Sequence, residues 1–159
     1  MALQSQYVFT LYVDLAPALD FGKTTSSGNR RFIPITGGRL EGPNLKGEIL
    51  PGGGDWNAVR ADGVVHVLAK YAIRLEDGTM VNVHNEGYGR ASQTVMEGVF
   101  SGQPGGAVPE GSEWYTKTWP RFEVADNTKH AWMCRTCFVG NLLKPEGPGH
   151  VQIEVFELL

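Results

Sequence analysis

Asp55 and Trp56 close the stretch ILPGGGDW, directly behind Pro51 and three glycines. A proline and three glycines make a backbone free to take positive φ and to lie close against a ligand or another strand, where side chains would collide. Such a hinge aims the pair at one place, where Asp55 would serve as hydrogen-bond acceptor or base and Trp56 as a flat apolar surface. Each also has a structural reading: Asp55 as a turn acid that ties down the glycine loop, Trp56 as a core side chain. Further along, His66, Lys70, His84 and Glu86 supply the groups that proton transfer uses. Asp55 or Glu86 would accept a proton, and His66, His84 or Lys70 would donate one or steady an enolate oxygen.

The elements that must position these groups are strands. The 21 glycines and nine prolines among 159 residues punctuate the chain, and between them lie short segments with period-two patterning, such as YVFTLYVDL, GVVHVLAKYAIRL, TMVNVHNEGY and HVQIEVFEL. Apart from a weak stretch at 91–100, no window carries apolar residues at helical spacing. Many short strands with turn signals between them predict an all-β antiparallel barrel or sandwich. Asp77-Gly78 in EDGT is a strong hairpin signal, and predicts that 61–75 pairs antiparallel with 80–88. Only 101–113 reads as a long loop, and no boundary divides 1–159 into more than one domain. A chain of this length buries roughly 70% of its unfolded surface, enough for a single core without staples.

Alternation sorts the hairpin's side chains. Val65, Val67, Ala69, Tyr71, Ile73 and Leu75 share a plain core face, while His66, Leu68, Lys70, Ala72 and Arg74 share the other. In the partner strand Val81 and Val83 lie on one side, and Met80, Asn82, His84 and Glu86 on the other. The mixed face is either a wet outer surface or the polar lumen of a barrel that binds a small molecule, and alternation does not choose between them. If the apolar face lines the cavity instead, Tyr71 becomes the chief hydroxyl donor.

Arg60 and Asp62, two apart, read as an ion pair fixing the loop, with Arg60 also a candidate substrate contact alongside Asn82. In HAWMCRTCFVG, read as a strand, Trp132 and Arg135 face opposite ways, so at most one joins a lumen. Cys134 and Cys137 then point to opposite faces too, which argues against a disulfide or metal clip and leaves two small half-buried residues. His66 and His84 could meet as ligands, but with only Glu86 or Asp55 for a third position no metal centre is expected. Phosphate loops, dinucleotide fingerprints, nucleophile elbows and zinc-protease helices are all missing from the sequence. The net charge of −3, with no basic run beyond Arg30-Arg31, argues against nucleic acid and anionic membranes. No apolar stretch is long enough to span a bilayer, and the N-terminus lacks a basic then apolar leader, so the chain reads as soluble and cytoplasmic.

Taken together, IPITGGRLEGPNLKGEILPGGGDWNAVRADGVVHVLAKYAIRLEDGTMVNVHNEGYGR, then WPRFEV and HAWMCRTCFVG, resembles the family known as domain of unknown function 3237, or uncharacterised protein family 0311. The family pattern runs G-G, G-P-x-L-x-G, P-G-G-A-D-W and R-x-D-G. The chain departs from it at Gly54, where alanine is usual, and at Leu68, Lys70 and Cys134, where an acid, an arginine and an asparagine are common. The resemblance implies a compact calycin-like β-barrel that often self-associates.

The resulting expectation is a small-molecule barrel, dimeric, acting without a cofactor on a small hydrophobic oxygenated molecule by isomerisation, cyclisation or hydration and elimination. Asp55, His66, Lys70, His84 and Glu86 would be catalytic, with Trp56, Arg60, Tyr71, Asn82, Trp132 and Arg135 binding substrate. The rivals are a carrier that leaves its ligand unchanged and a purely structural or interaction barrel.

Overall fold

The computed structural model describes residues 1–92, 94–95, 111 and 113–159. The stretches 91–100 and 101–113 singled out above lie largely outside the described residues. The strands are β1 (Ser5–Leu15), β2 (Leu19–Thr24), β3 (Gly28–Glu41), β4 (Lys46–Ile49), β5 (Gly53–Asp55) and β6 (Ala58–Val59). They continue with β7 (Val65–Leu75), β8 (Met80–Arg90), β9 (Tyr115–Thr118), β10 (Arg121–Glu123), β11 (Phe138–Leu142) and β12 (His150–Leu158). Among the described residues every pairing is antiparallel, and the ring closes: β1 joins β12 and β3, β12 joins β11, β11 joins β9, β9 joins β8, and β8 joins β7. The long β3 meets β7 through three short pieces in succession, β4, β5 and β6, which together act as one broken strand and bring the barrel to eight positions. Closure leaves few sheet edges open to a neighbour.

The hairpin expected from Asp77-Gly78 is present, with Arg74 opposite Met80 and Val65 opposite Gly89. Gly78 takes φ 87°, and the Asp77 carboxylate accepts the Thr79 N–H at 3.0 Å. The same carboxylate meets Nε2 of the buried His130 at 2.8 Å, tying the hairpin tip to the segment after β10. These hydrogen bonds, the Thr79 N–H first, hold the Asp77 carboxyl far below the usual range.

One half of the barrel is filled. Phe9, Phe122 and Phe138 meet edge to face, with centroids 5.5 and 5.0 Å apart, and join Leu40, Ile73, Val81 and Val155 in the main core. Met133 joins them from a 3-10 helix at Ala131–Arg135, which corrects the strand expected there. A turn of helix gives Trp132, Cys134 and Arg135 a different placement from strand alternation. Trp132 leans half-buried on Phe138, while Arg135, Cys134 and Cys137 are exposed, both cysteines as free thiols rather than half-buried residues.

Candidate functional site in the barrel lumen

The other half of the barrel holds a cavity of about 40 Å³, walled by Val13, Leu15, Ile33, Ile35, Val67, Ala69, Leu142, Val151 and Ile153. Three polar residues break this apolar lining: Asp55, Tyr71 and Asn85. Strand register explains their meeting. Asp55 stands opposite Ala69, and Ala69 opposite Asn85, so the acid and the amide flank the short methyl side of one cross-strand row. Tyr71 points inward two residues further along β7.

The glycine hinge makes room for this arrangement. A Cβ on Gly53 would lie 2.4 Å from the Lys70 carbonyl oxygen and 2.5 Å from Cβ of Tyr71, so only glycine lets β5 approach β7 here. The strand then breaks between β5 and β6. Trp56 N–H still bonds the Leu68 carbonyl at 2.9 Å, but the Leu68 N–H is taken by the Asp55 carboxylate, Oδ1 at 2.8 Å. The second oxygen, Oδ2, accepts from Nδ2 of the fully buried Asn57 at 3.2 Å.

Burial dominates the electrostatics of Asp55 and pushes its carboxyl up to about 6, while the Leu68 N–H, the Asn57 amide and the more distant charges of His66 and Arg30 pull the other way. Such a carboxyl is ionised at neutral pH yet near enough to its midpoint to take up and release a proton. Burial likewise raises the Tyr71 phenol, which stays a neutral donor. Among the described residues, Tyr71 Oη and Asn85 Oδ1 find no hydrogen-bond partner, nor do Asn57 Oδ1, Thr116 Oγ1 and Thr118 Oγ1. Buried polar atoms are nearly always paired, and of these unpaired ones Tyr71 Oη and Asn85 Oδ1 belong to residues that line the cavity.

The remaining sequence candidates lie elsewhere. Alternation puts the valines of β7 and β8 inside, so His66, Lys70, Asn82, His84 and Glu86 are carried on the outer wall and do not share the lumen with Asp55. On that wall Glu86 sits between two imidazoles, 2.8 Å from His66 Nε2 and 3.8 Å from His84 Nε2, and the hydrogen bond from His66 is the first cause of its lowered carboxyl value. Asn82 donates to Glu123 at 3.1 Å and Lys70 is exposed. Trp56 is 46% exposed and stacks outside the barrel on Phe32 and Phe21, so it is neither lumen wall nor core. Arg60 and Asp62 form the exposed ion pair expected from their spacing. Trp132 and Arg135 lie on the 3-10 helix, where Trp132 lines a separate open groove with Tyr7 and His130. Among the described residues no group of three or more His, Cys, Asp or Glu side chains is arranged to hold a metal ion.

Sequence reasoning missed Asn57 and Asn85. Asn85 had a legible signal: it falls on the inward face of β8, in register with Val81 and Val83. Asn57 had none, because the strand break that turns it inward follows from tertiary packing.

A closed antiparallel barrel with an acid set in an apolar lumen defines a small calycin-like β-barrel protein. The chain belongs to the family described as protein of unknown function (DUF3237), whose model matches residues 3–158. It is similar to a conserved protein of unknown function from Rhodopseudomonas palustris, at 30% identity and a TM-score of 0.87, covering 100% of this chain and 99% of that one. A β-barrel-like protein from Acinetobacter baumannii matches at 29% identity and a TM-score of 0.82, over 100% and 98% of the two chains. A protein from Penicillium herquei described as an enzyme shares the fold at 17% identity and a TM-score of 0.71, over 100% and 96%. No helix among the described residues is long and apolar enough to cross a membrane.

Proposed function

We propose that the protein is a cofactor-independent acid/base catalyst that isomerises, cyclises, hydrates or dehydrates a small hydrophobic molecule bearing oxygen. The observation that carries this reading is the Asp55 carboxyl, buried and raised to about 6, lining the same cavity as Tyr71 and Asn85, whose hydroxyl and amide oxygen have no partner among the described residues. Asp55 takes a proton from a C–H or O–H of the substrate. Tyr71 donates a hydrogen bond to the oxygen on which negative charge develops, and Asn85 orients a second polar group. The apolar walls exclude water, which strengthens each of these contacts.

Cavity size restricts what enters. Small-molecule sites in proteins commonly enclose about 300–1,000 Å³, whereas the lumen holds about 40 Å³. The reacting end of the substrate, a carbonyl, hydroxyl or short alkyl group, reaches Asp55, and a larger body displaces aliphatic side chains or stays outside. The apolar lining also favours a second reading, a carrier that holds the same class of ligand unchanged.

Crystals grown with small phenols and enolisable ketones, paired with product analysis, separate the readings. A ligand oxygen hydrogen-bonded in the lumen together with conversion supports catalysis. An unchanged ligand in the lumen supports carriage, and ligands seated only on the outer wall overturn both.

A further inference from the structure

We propose that Asn57 is a positioning residue that answers the proton state of Asp55: its side-chain amide donates to the ionised carboxylate and turns over to accept from the protonated acid. This rests on the reading of Asp55 as the group that takes up and returns a proton.

The geometry is that of a two-way partner. Asn57 is fully buried, and its Nδ2 lies 3.2 Å from Asp55 Oδ2. Its other end, Oδ1, is buried with no partner among the described residues. A primary amide carries a donor end and an acceptor end of nearly equal size, so a half-turn about its last bond exchanges them without changing the packed volume. Its pivot is held, because the Asn57 carbonyl accepts the Arg31 N–H at 2.8 Å. The Leu68 N–H, at 2.8 Å from Asp55 Oδ1, serves both proton states, since either a carboxylate or the carbonyl oxygen of an acid accepts it. The charged and titratable groups near Asp55 are Arg30 from β3 and His66 and Tyr71 from β7. None of them contacts Oδ2 among the described residues, so Asn57 is the side chain placed to respond.

The consequence for proton transfer is balanced bookkeeping at one carboxyl. As base, Asp55 accepts a proton from the substrate and the bonding pair stays with the substrate as an enolate or alkoxide. The new O–H then turns to the Asn57 oxygen, which holds the proton while charge moves through the substrate. The carboxyl next releases the proton to a different substrate atom, and the amide returns its N–H to the carboxylate. No oxidant, reductant or third reactant enters. A fixed donor would stabilise only the ionised state, whereas an amide free to turn gives the buried Asp55 oxygen a partner in both states.

Solution NMR on the full chain, with carbon-13 aspartate and nitrogen-15 asparagine, tests this from pH 4 to 8. The Asp55 carboxyl carbon is expected to titrate, and the Asn57 side-chain protons to exchange one set of through-space neighbours for another with the same midpoint. The Asp55→Asn variant, whose neutral amide needs the Asn57 oxygen, is expected to show the low-pH set at every pH. Unchanged Asn57 neighbours across the titration, or an Asp55 carboxyl that does not titrate in this range, overturns the inference. Product analysis on the same wild-type sample reports separately on turnover, so a failure of the amide switch and a failure of the catalytic reading are distinct results.

Discussion

Replacing Asp55 by asparagine is expected to stabilise the fold at neutral pH, by an amount that depends on pH. Burial lifts the Asp55 carboxyl from an ordinary 3.8 to about 6, so folding favours the protonated acid. The sign follows from linkage. The contribution of Asp55 is most favourable below about pH 4, where it is protonated in both folded and unfolded states, and it is lost as the pH climbs to about 6, above which the loss is complete. At about 1.4 kcal/mol per pH unit of displacement, the full loss is roughly 3 kcal/mol. The amide variant has no such dependence. It keeps an oxygen for the Leu68 N–H and gains a donor for the unpartnered Asn57 oxygen, so its packing is preserved. Urea unfolding of both proteins from pH 3.5 to 8 reads the difference directly, and titrations common to both cancel. The variant's advantage is expected to grow by roughly 3 kcal/mol across that range. A difference that stays flat, or that moves against the variant as pH rises, would refute the argument that burial dominates at Asp55.

Further substitutions probe the surrounding packing. Gly53→Ala is expected to cost about 1–3 kcal/mol in urea unfolding, because its Cβ meets the Lys70 carbonyl and Tyr71 at 2.4 and 2.5 Å and the backbone cannot yield. Gly54→Ala meets the Phe32 ring at 2.3 Å and the Ile33 carbonyl oxygen at 3.0 Å, and should cost less, since a half-buried ring can turn aside and the backbone contact is looser than at Gly53. Tyr71→Phe removes a buried hydroxyl without a partner, so the melting temperature should hold or rise while turnover of any substrate falls. Trp56→Ala should cost about 1 kcal/mol, the value of surface ring stacking, rather than the roughly 3–5 kcal/mol of a core tryptophan. Asp77→Ala should speed amide exchange at Thr79 and lower the melting temperature at neutral pH. Because its carboxyl is depressed in the fold, the stability it supplies is present above about pH 4 and is lost as pH falls, so the gap between wild type and variant should narrow in acid.

The hairpin was readable because three local signals agreed. Asp77-Gly78 suits a tight turn, the valines and isoleucine of β7 and β8 alternate, and both strands are long enough for alternation to be unambiguous. The same alternation separated His66, Lys70, His84 and Glu86 from the apolar set, but it could not say which set faced inward. Closure decides that, and closure depends on β1, β12 and β3, far apart in sequence. Asp55 was legible because glycine and proline mark the approach of two backbones. Trp56 was placed on the wrong surface because the outer stack with Phe21 and Phe32 depends on β2, whose LDFGKT carries weak periodicity. The Ala131–Arg135 turn of helix was read as strand because its aromatic and sulfur side chains suit either state, and Met133 reaching the core settled it.

The central claim, that the lumen carboxyl and not the outer His–Glu–His group moves protons, is tested most directly by deuterium uptake in heavy water. A panel of small enolisable ketones and phenols is incubated with wild type, Asp55→Asn and Glu86→Gln, and incorporation at carbon is read by mass spectrometry. Wild type and Glu86→Gln should label at least one compound above its background rate, and Asp55→Asn should label none. Labelling that persists in Asp55→Asn, that disappears in Glu86→Gln, or that never rises above background in wild type would contradict the account.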